Sequence, residues 1–223
     1  MSDKRRARVE AMDRTRLPKG STPKSSRWPR TTRRSLRIED TLCRRQPDLT
    51  VVLEDVHDPH NVSAVLRSCD AVGILDVHLV YVQEKAPKRS FARTSSGSAA
   101  KWIRSSFHAT IEECYAALRE RGFSIFVSTL DGERDSLYEL DLTEPVALVF
   151  GNEMRGASEH AVQGADGRFM IPMMGMVQSL NVSVACAVTL FEAMRQRQLR
   201  GYYDRPRLDQ ASLAQLAAEW LEK

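Results

Sequence analysis

The run FMIPMMGMVQSLNVSVACAVTLFEAMRQR at residues 169–197 decides how this chain folds. It sets a short apolar strand, a turn at Gly175, a polar cluster and a long apolar helix in one segment, the repeating unit of an α/β domain. At its centre, Gln178-Ser179-Leu180-Asn181-Val182-Ser183 alternates hydrogen-bonding and apolar side chains directly before the helix. One of these polar groups suffices to cap the helix. The rest exceed what a cap needs, and a helix start lined by backbone donors and small polar groups is a place to hold a polar ligand.

The same strand-to-helix rhythm extends toward the N-terminus. Residues 49–53 (LTVVL) are an unbroken β-branched run, as expected of a strand buried on both faces, and 61–72 follow as a helix. Strands are expected at 76–82 (DVHLVYV), 123–129 (FSIFVST), 146–150 (VALVF) and 168–171, with a helix at 111–121 and the long helix after Asn181. This alternation specifies a mainly parallel sheet covered by helices. In such sheets ligands sit beyond the carboxyl ends of the strands. The polar and glycine-bearing segments fall there: EDVHDPHN at 54–61, STLDG at 128–132, GNEMRG at 151–156 and residues 172–181. No GxGxxG follows the first strand and no GxxxxGK[ST] occurs, which argues against a dinucleotide or P-loop site.

The flanks are different in kind. Residues 1–45 hold 15 Lys/Arg against 5 Asp/Glu, whereas 46–223 hold 18 against 24, so a basic arm sits on a mildly acidic body. Residues 1–34, rich in Pro, Ser, Thr and Arg with Trp28 as the one aromatic, read as a disordered arm able to bind a phosphate backbone. A short helix is expected at 35–46, stopped at Gln46-Pro47. The main domain then runs over 35–200. In 201–223, Leu208, Leu213, Leu216, Ala217, Trp220 and Leu221 fit an amphipathic helical extension. The four cysteines and five histidines are scattered without ligand spacing, so neither a zinc site nor a disulfide framework is expected. With no 18-residue apolar run and no apolar stretch behind the basic N-terminus, the reading is a soluble, cytoplasmic protein with no membrane partner.

Three segments in order, RRQPDLTVVLEDVHDPHNVSAVLRSCDAVGI (44–74), LVFGNEMRGAS (148–158) and IPMMGMVQSLNVSVACAV (171–188), resemble the SPOUT class of RNA methyltransferases. Within that class they look like the TrmH (SpoU) family of 2'-O-ribose methyltransferases, over roughly residues 36–197. The third motif and the RRQPDLTV lead-in look most like the members that methylate the D-loop guanosine at position eighteen of tRNA. The resemblance implies a SPOUT fold whose C-terminal part is a deep trefoil knot, a homodimer, S-adenosylmethionine as methyl donor, tRNA as partner and no metal. The alternatives are another tRNA site, ribosomal RNA, or a non-catalytic RNA-binding factor on the same fold.

The resemblance also assigns residues. Arg67, Asn61, Glu153, Ser179 and Asn181 are the expected catalytic set. Ser128, Thr129, Leu130, Gly151, Ile171, Met173 and Leu180 are the expected cofactor slot, suited to adenine, which needs a flat apolar cleft with main-chain hydrogen bonds at its edge. Asn61 and Arg67 are six residues apart, about 600° around a helix, and do not share a face. Asn61 is therefore expected to act from the helix start, as its N-cap. Arg67 lies in the mostly apolar VSAVLRSC, where a buried guanidinium needs an anionic partner or a ligand phosphate. A guanidinium is a poor base, so Arg67 is read as a phosphate grip that orients the 2'-hydroxyl. The plain role of Glu153 is to pair with Arg155 or to cap a helix near Ala157; its functional role is to position Arg67, Asn181 or the substrate.

Overall fold

The central strand β1 (Leu49–Glu54) is buried at all six positions. The reason is visible in the computed structural model, which describes residues 30–84, 99–130 and 132–223. The chain divides into two units, Met1–Arg34 and Ser35–Lys223. All but the last five residues of the expected basic arm lie outside the described residues. In the second unit β1 pairs in parallel with β2 (Asp76–Val80) on one side and β6 (Val146–Phe150) on the other. With β3 (Arg104–His108), β4 (Ser124–Ser128), β5 (Asp135–Ser136) and β7 (Gly167–Met170) these form a seven-stranded sheet, order β3-β2-β1-β6-β4-β7-β5. Every pairing in it is parallel.

Because side chains alternate along a strand, the LTVVL run serves two cores at once. Leu49, Val51 and Leu53, with Val146, Leu148 and Phe150 of β6, face α2 (Pro59–Val72) and α5 (Val182–Leu199). Val52, Ala147, Val149, Ile125 and Val127 face α3 (Ile111–Glu120) and α4 (Glu159–Gly164). A third cluster joins α1 (Arg30–Leu42) to α6 (Gln210–Glu222) through Ile38, Leu42, Leu216 and Trp220, with Leu208, Leu213 and Ala217 at its margin. Leu221 points outward, 45% exposed.

The strands at 49–53 and 146–150 and the five principal helices fall where the sequence places them, within a few residues. Helix α1 starts at Arg30, before the expected residue 35, and ends at Leu42, short of Gln46-Pro47. Strand β3 and the two-residue β5 are additional to the sequence reading, and the helix expected near Ala157 is the short α4. Strand β3 (RSSFH) lies at the sheet edge with four of its five residues exposed, so it carries no hydrophobic period to read.

Two fully buried arginines fix the periphery. Arg197 of α5 donates to Leu142 O (2.9 Å), Glu144 O (2.8 Å) and Asp48 Oδ1 (2.5 Å), and Asp48 is also held by Arg207. Arg45 donates to Ile74 O (2.8 Å) and Asp70 Oδ1 (2.5 Å) and lies 5.0 Å from the Trp220 ring centre, tying α2 to α6. On the other side of the sheet, burial lowers the imidazole pKa of His78 to about 4 and also lowers that of His108.

Candidate active site

Parallel pairing puts all carboxyl ends on one edge of the sheet, and the strand order makes β1, β6, β4 and β7 consecutive. The four polar segments of the sequence therefore sit side by side. The loop after β6 is shaped by Gly151, where a Cβ would lie 2.1 Å from Ala157 N and 2.2 Å from Gly156 C, so no side chain fits. Asn152 and Gly156 close it with two backbone hydrogen bonds of 2.9 Å. The Asn152 side chain accepts from Met154 N (2.9 Å) and Arg155 N (3.1 Å) and donates to Asp55 O (2.7 Å), which locks this loop to the one after β1.

Glu153 projects from the locked loop toward the start of α2. Its carboxylate accepts from His57 N (3.0 Å), Asp58 N (3.2 Å) and Asn61 Nδ2 (2.8 Å). The other end of the Asn61 amide, Oδ1, accepts from Asn181 Nδ2 (3.1 Å). Asn181 Oδ1 in turn accepts from Ser183 N (2.9 Å) and Ser183 Oγ (2.6 Å), capping α5. One hydrogen-bonded chain thus runs from a carboxylate through two amides to a helix start. Burial acts to raise the Glu153 carboxyl, but the three donors outweigh it and hold its pKa below the ordinary value. The phenol of Tyr81 is raised by burial first, then by the nearby Glu153 and Asp55.

Three expectations change here. Helix α2 is capped by Asp58, which accepts from His60 N at 2.8 Å, with Pro59 opening the helix; Asn61 sits in its first turn and is free for Glu153 and Asn181. Glu153 neither pairs with Arg155 nor caps α4. Arg155 binds Glu84 (3.0 Å), which also takes His57 Nδ1 (2.9 Å), and α4 is capped by Ser158. Arg67 is exposed rather than buried, and no hydrogen bond or ion pair holds it among the described residues. Its helical phase explains this: His60, Arg67 and Ala71 share the outward face, while Asn61, Val62, Val65, Leu66 and Cys69 take the inward one. Of the expected catalytic set, Asn61, Glu153 and Asn181 are brought together; Arg67 and the exposed Ser179 stand outside the chain.

The expected slot residues lie on the same edge. Ser128 ends β4, and Thr129 N donates to Phe169 O of β7 at 3.0 Å. Ile171, Met173 and Leu180 are half-buried, and Leu130 is 47% exposed. Apolar side chains beside loop backbone are what a flat aromatic base requires, so these residues fit an adenine. None of these slot residues lines either of two clefts, one near Leu140, Gln196 and Arg200 and one near Arg134, Gln163 and Arg168.

Asp55 was not singled out in the sequence. It has a positive φ of 50°, and its carboxylate accepts from Val82 N (2.8 Å), Gln83 N (3.1 Å) and Glu84 N (3.0 Å), binding the loop after β2 to the site. Its position directly after a buried strand, in the same polar segment as Asn61, was the available signal.

Comparison with known proteins gives a consistent picture. The sequence model described as SpoU rRNA Methylase family matches residues 48–191. The chain is 52% identical over 194 residues to a protein of Thermus thermophilus named tRNA (guanosine(18)-2'-O)-methyltransferase, covering 87% of this chain and 98% of that one. The crystal structure titled A. aeolicus TrmH/SpoU tRNA modifying enzyme is similar at a TM-score of 0.79 and 36% identity, covering 85% of this chain and 95% of that one. An AdoMet-bound rRNA methyltransferase from Sinorhizobium meliloti is similar at a TM-score of 0.61 and 26% identity, over 70% of this chain and 59% of that one.

Proposed function

The chain belongs to the SpoU rRNA methylase family, and from that premise we propose that it methylates the 2'-hydroxyl of the guanosine at position eighteen in the D-loop of tRNA. It is an RNA ribose methyltransferase with S-adenosylmethionine as methyl donor. The observation that carries the reading is the Glu153–Asn61–Asn181 chain, because each member comes from a different one of the three sequence motifs and the fold hydrogen-bonds them in series.

The donor, when bound, supplies an already activated methyl on a sulfonium, so the transfer calls for no metal. The residues supply position. Ile171, Met173, Leu180 and Leu130, with the backbone at Ser128, Thr129 and Gly151, form the slot at the ends of β4, β6 and β7. Asn181, fixed by Asn61, and Ser179 beside it face the ribose. Glu153 is a positioning residue acting through Asn61. Arg67, solvent-facing and unpaired among the described residues, is available to grip the phosphate next to the target ribose as a bidentate clamp.

Two further elements belong to the proposal. The C-terminal part is threaded as a deep trefoil knot. In support, α5 leaves β7 near one end of the sheet and packs on α2 beyond β1, while Gln196 and Arg197 reach back to Leu140, Leu142 and Glu144. The protein acts as a homodimer. Val184 and Phe191 on α5 (each 47% exposed) and Met174 and Met176 before it (95% and 99%) supply an apolar face for a second copy. Among the described residues no helix is long and apolar enough to cross a membrane, in keeping with a cytoplasmic tRNA enzyme.

The test is transfer of labelled methyl to a full-length tRNA transcript, followed by alkaline hydrolysis to map the resistant linkage. One resistant linkage at the D-loop guanosine is expected. Label on ribosomal RNA alone, or cofactor binding without transfer to any RNA, overturns the proposal.

A further inference from the structure

Three donors that the sequence scatters meet between the outer strands and α3. His78 in β2, His108 at the end of β3 and Cys114 in the first turn of α3 each place a ligand atom within 4.8 Å of the other two. His78 and Cys114 are buried and His108 is half-buried. The two imidazoles stack with centroids 5.1 Å apart, and His78 Nδ1 lies 2.9 Å from His108 Nε2. That contact occupies one nitrogen of each ring. The second nitrogen of His78, Nε2, is buried without a hydrogen-bond partner. Native folds leave few such atoms, and an ion or water is a common reason for one. Asp76 and Glu113 add negative charge toward these rings, opposed by Arg121.

Two imidazole nitrogens and a thiolate are a borderline-to-soft donor set, which selects zinc-class ions over magnesium or calcium. We propose that His78, His108 and Cys114 bind a zinc-class divalent ion, with water in the fourth tetrahedral position. Binding forms two metal–nitrogen bonds and one metal–sulfur bond and releases the Cys114 thiol proton to solvent. Bond lengths of about 2.0–2.3 Å set tetrahedral ligand atoms roughly 3.3–3.8 Å apart. The three ligand atoms, already within 4.8 Å of one another, therefore shift relative to each other by about 1.5 Å at most, which is a side-chain adjustment. The ion links the exposed edge strand β3 to β2 and α3. None of its ligands belongs to the loops that carry Asn61, Glu153 and Asn181, so the site is separate from methyl transfer.

The full-length protein, stripped with chelator and kept reduced, is titrated with Co2+ and then Zn2+. The expected result is one Co2+ per chain with a thiolate-to-cobalt charge-transfer band, displacement by Zn2+, and a higher unfolding temperature in the metal-bound protein. Cys114→Ala abolishes the band, while Cys43→Ser leaves it. His108→Gln, at a half-buried position, weakens binding by more than the roughly 10–100-fold seen for loss of an outer-shell partner. Methyl transfer by stripped protein stays intact. Failure of the unsubstituted protein to bind Co2+ stoichiometrically, a band that survives Cys114→Ala, or unchanged affinity in His108→Gln overturns the proposal.

Discussion

Glu153 is exposed, yet its carboxylate has three donors and little freedom. In Glu153→Gln an amide N–H must face one of those donors, so the Asn61 amide loses its anchor and Asn181 loses the acceptor that orients it. The expected cost is about 10²-fold in kcat, the scale of a misplacement of about 1 Å, with S-adenosylmethionine affinity nearly unchanged. The sign of the pH dependence follows from the lowered carboxyl. Its contribution is fully present above the ordinary glutamate value and is lost only as pH falls through the lower folded-state value, so a rate–pH profile should stay flat through the usual carboxylate range. Glu153→Gln should remove that acidic limb. Arg67→Lys keeps the charge but not the planar fork, and a rise in tRNA KM with a lower kcat is expected; near-normal turnover in steady-state assays would remove the clamp role. Asn61, Glu153 and Asn181 were marked by the resemblance of their three motifs, and the polar loops that carry them were legible at the ends of the buried strands; their linkage in series by hydrogen bonds was not. The exposure of Arg67 was misread from its apolar neighbours, since five apolar residues around one arginine do not fix which side of the helix it takes.

At the scale of elements, the loop after β6 depends on one glycine. Gly151→Ala puts a methyl group into the backbone of Gly156 and Ala157, which cannot move aside as a flexible side chain can. Overpacking of this kind costs about 1–3 kcal/mol, and because Asn152 and Glu153 ride on the same loop, thermal unfolding and kcat should fall together. Strands β1 and β6 were readable because burial on both faces demands unbroken apolar runs, and α5 because of its length and cap. Strand β3 was not, since an exposed edge strand needs no such run, and the convergence of four loops could be read from the alternation while the neighbour order of the strands could not. Sequence spacing likewise hid the meeting of His78, His108 and Cys114, which arises only when β2, β3 and α3 pack together.

For the whole molecule, Arg197 is the bolt between α5, the chain before β6 and the chain before β1. Arg197→Met removes one partner of a buried ion pair and strands Asp48 beside Arg207 alone; a loss of about 3–5 kcal/mol is expected. At roughly 2–4 °C per kcal/mol this is a fall of about 6–20 °C in Tm, readable by calorimetry. The basic arm makes a separate prediction: deleting residues 1–34 should raise the KM for tRNA while sparing S-adenosylmethionine affinity, and equal effects on both in binding assays would remove its role in gripping RNA. The strand order has a last consequence, for synthesis on the ribosome. β6 lies between β1 and β4 but is made after both. Until residues 146–150 emerge, the nascent chain holds two finished strands with open, apolar edges and no means of pairing them correctly. Such edges template aggregation. This protein should therefore gain soluble yield from chaperones or slow translation late in its synthesis, when the middle strand of the sheet arrives to join the two halves.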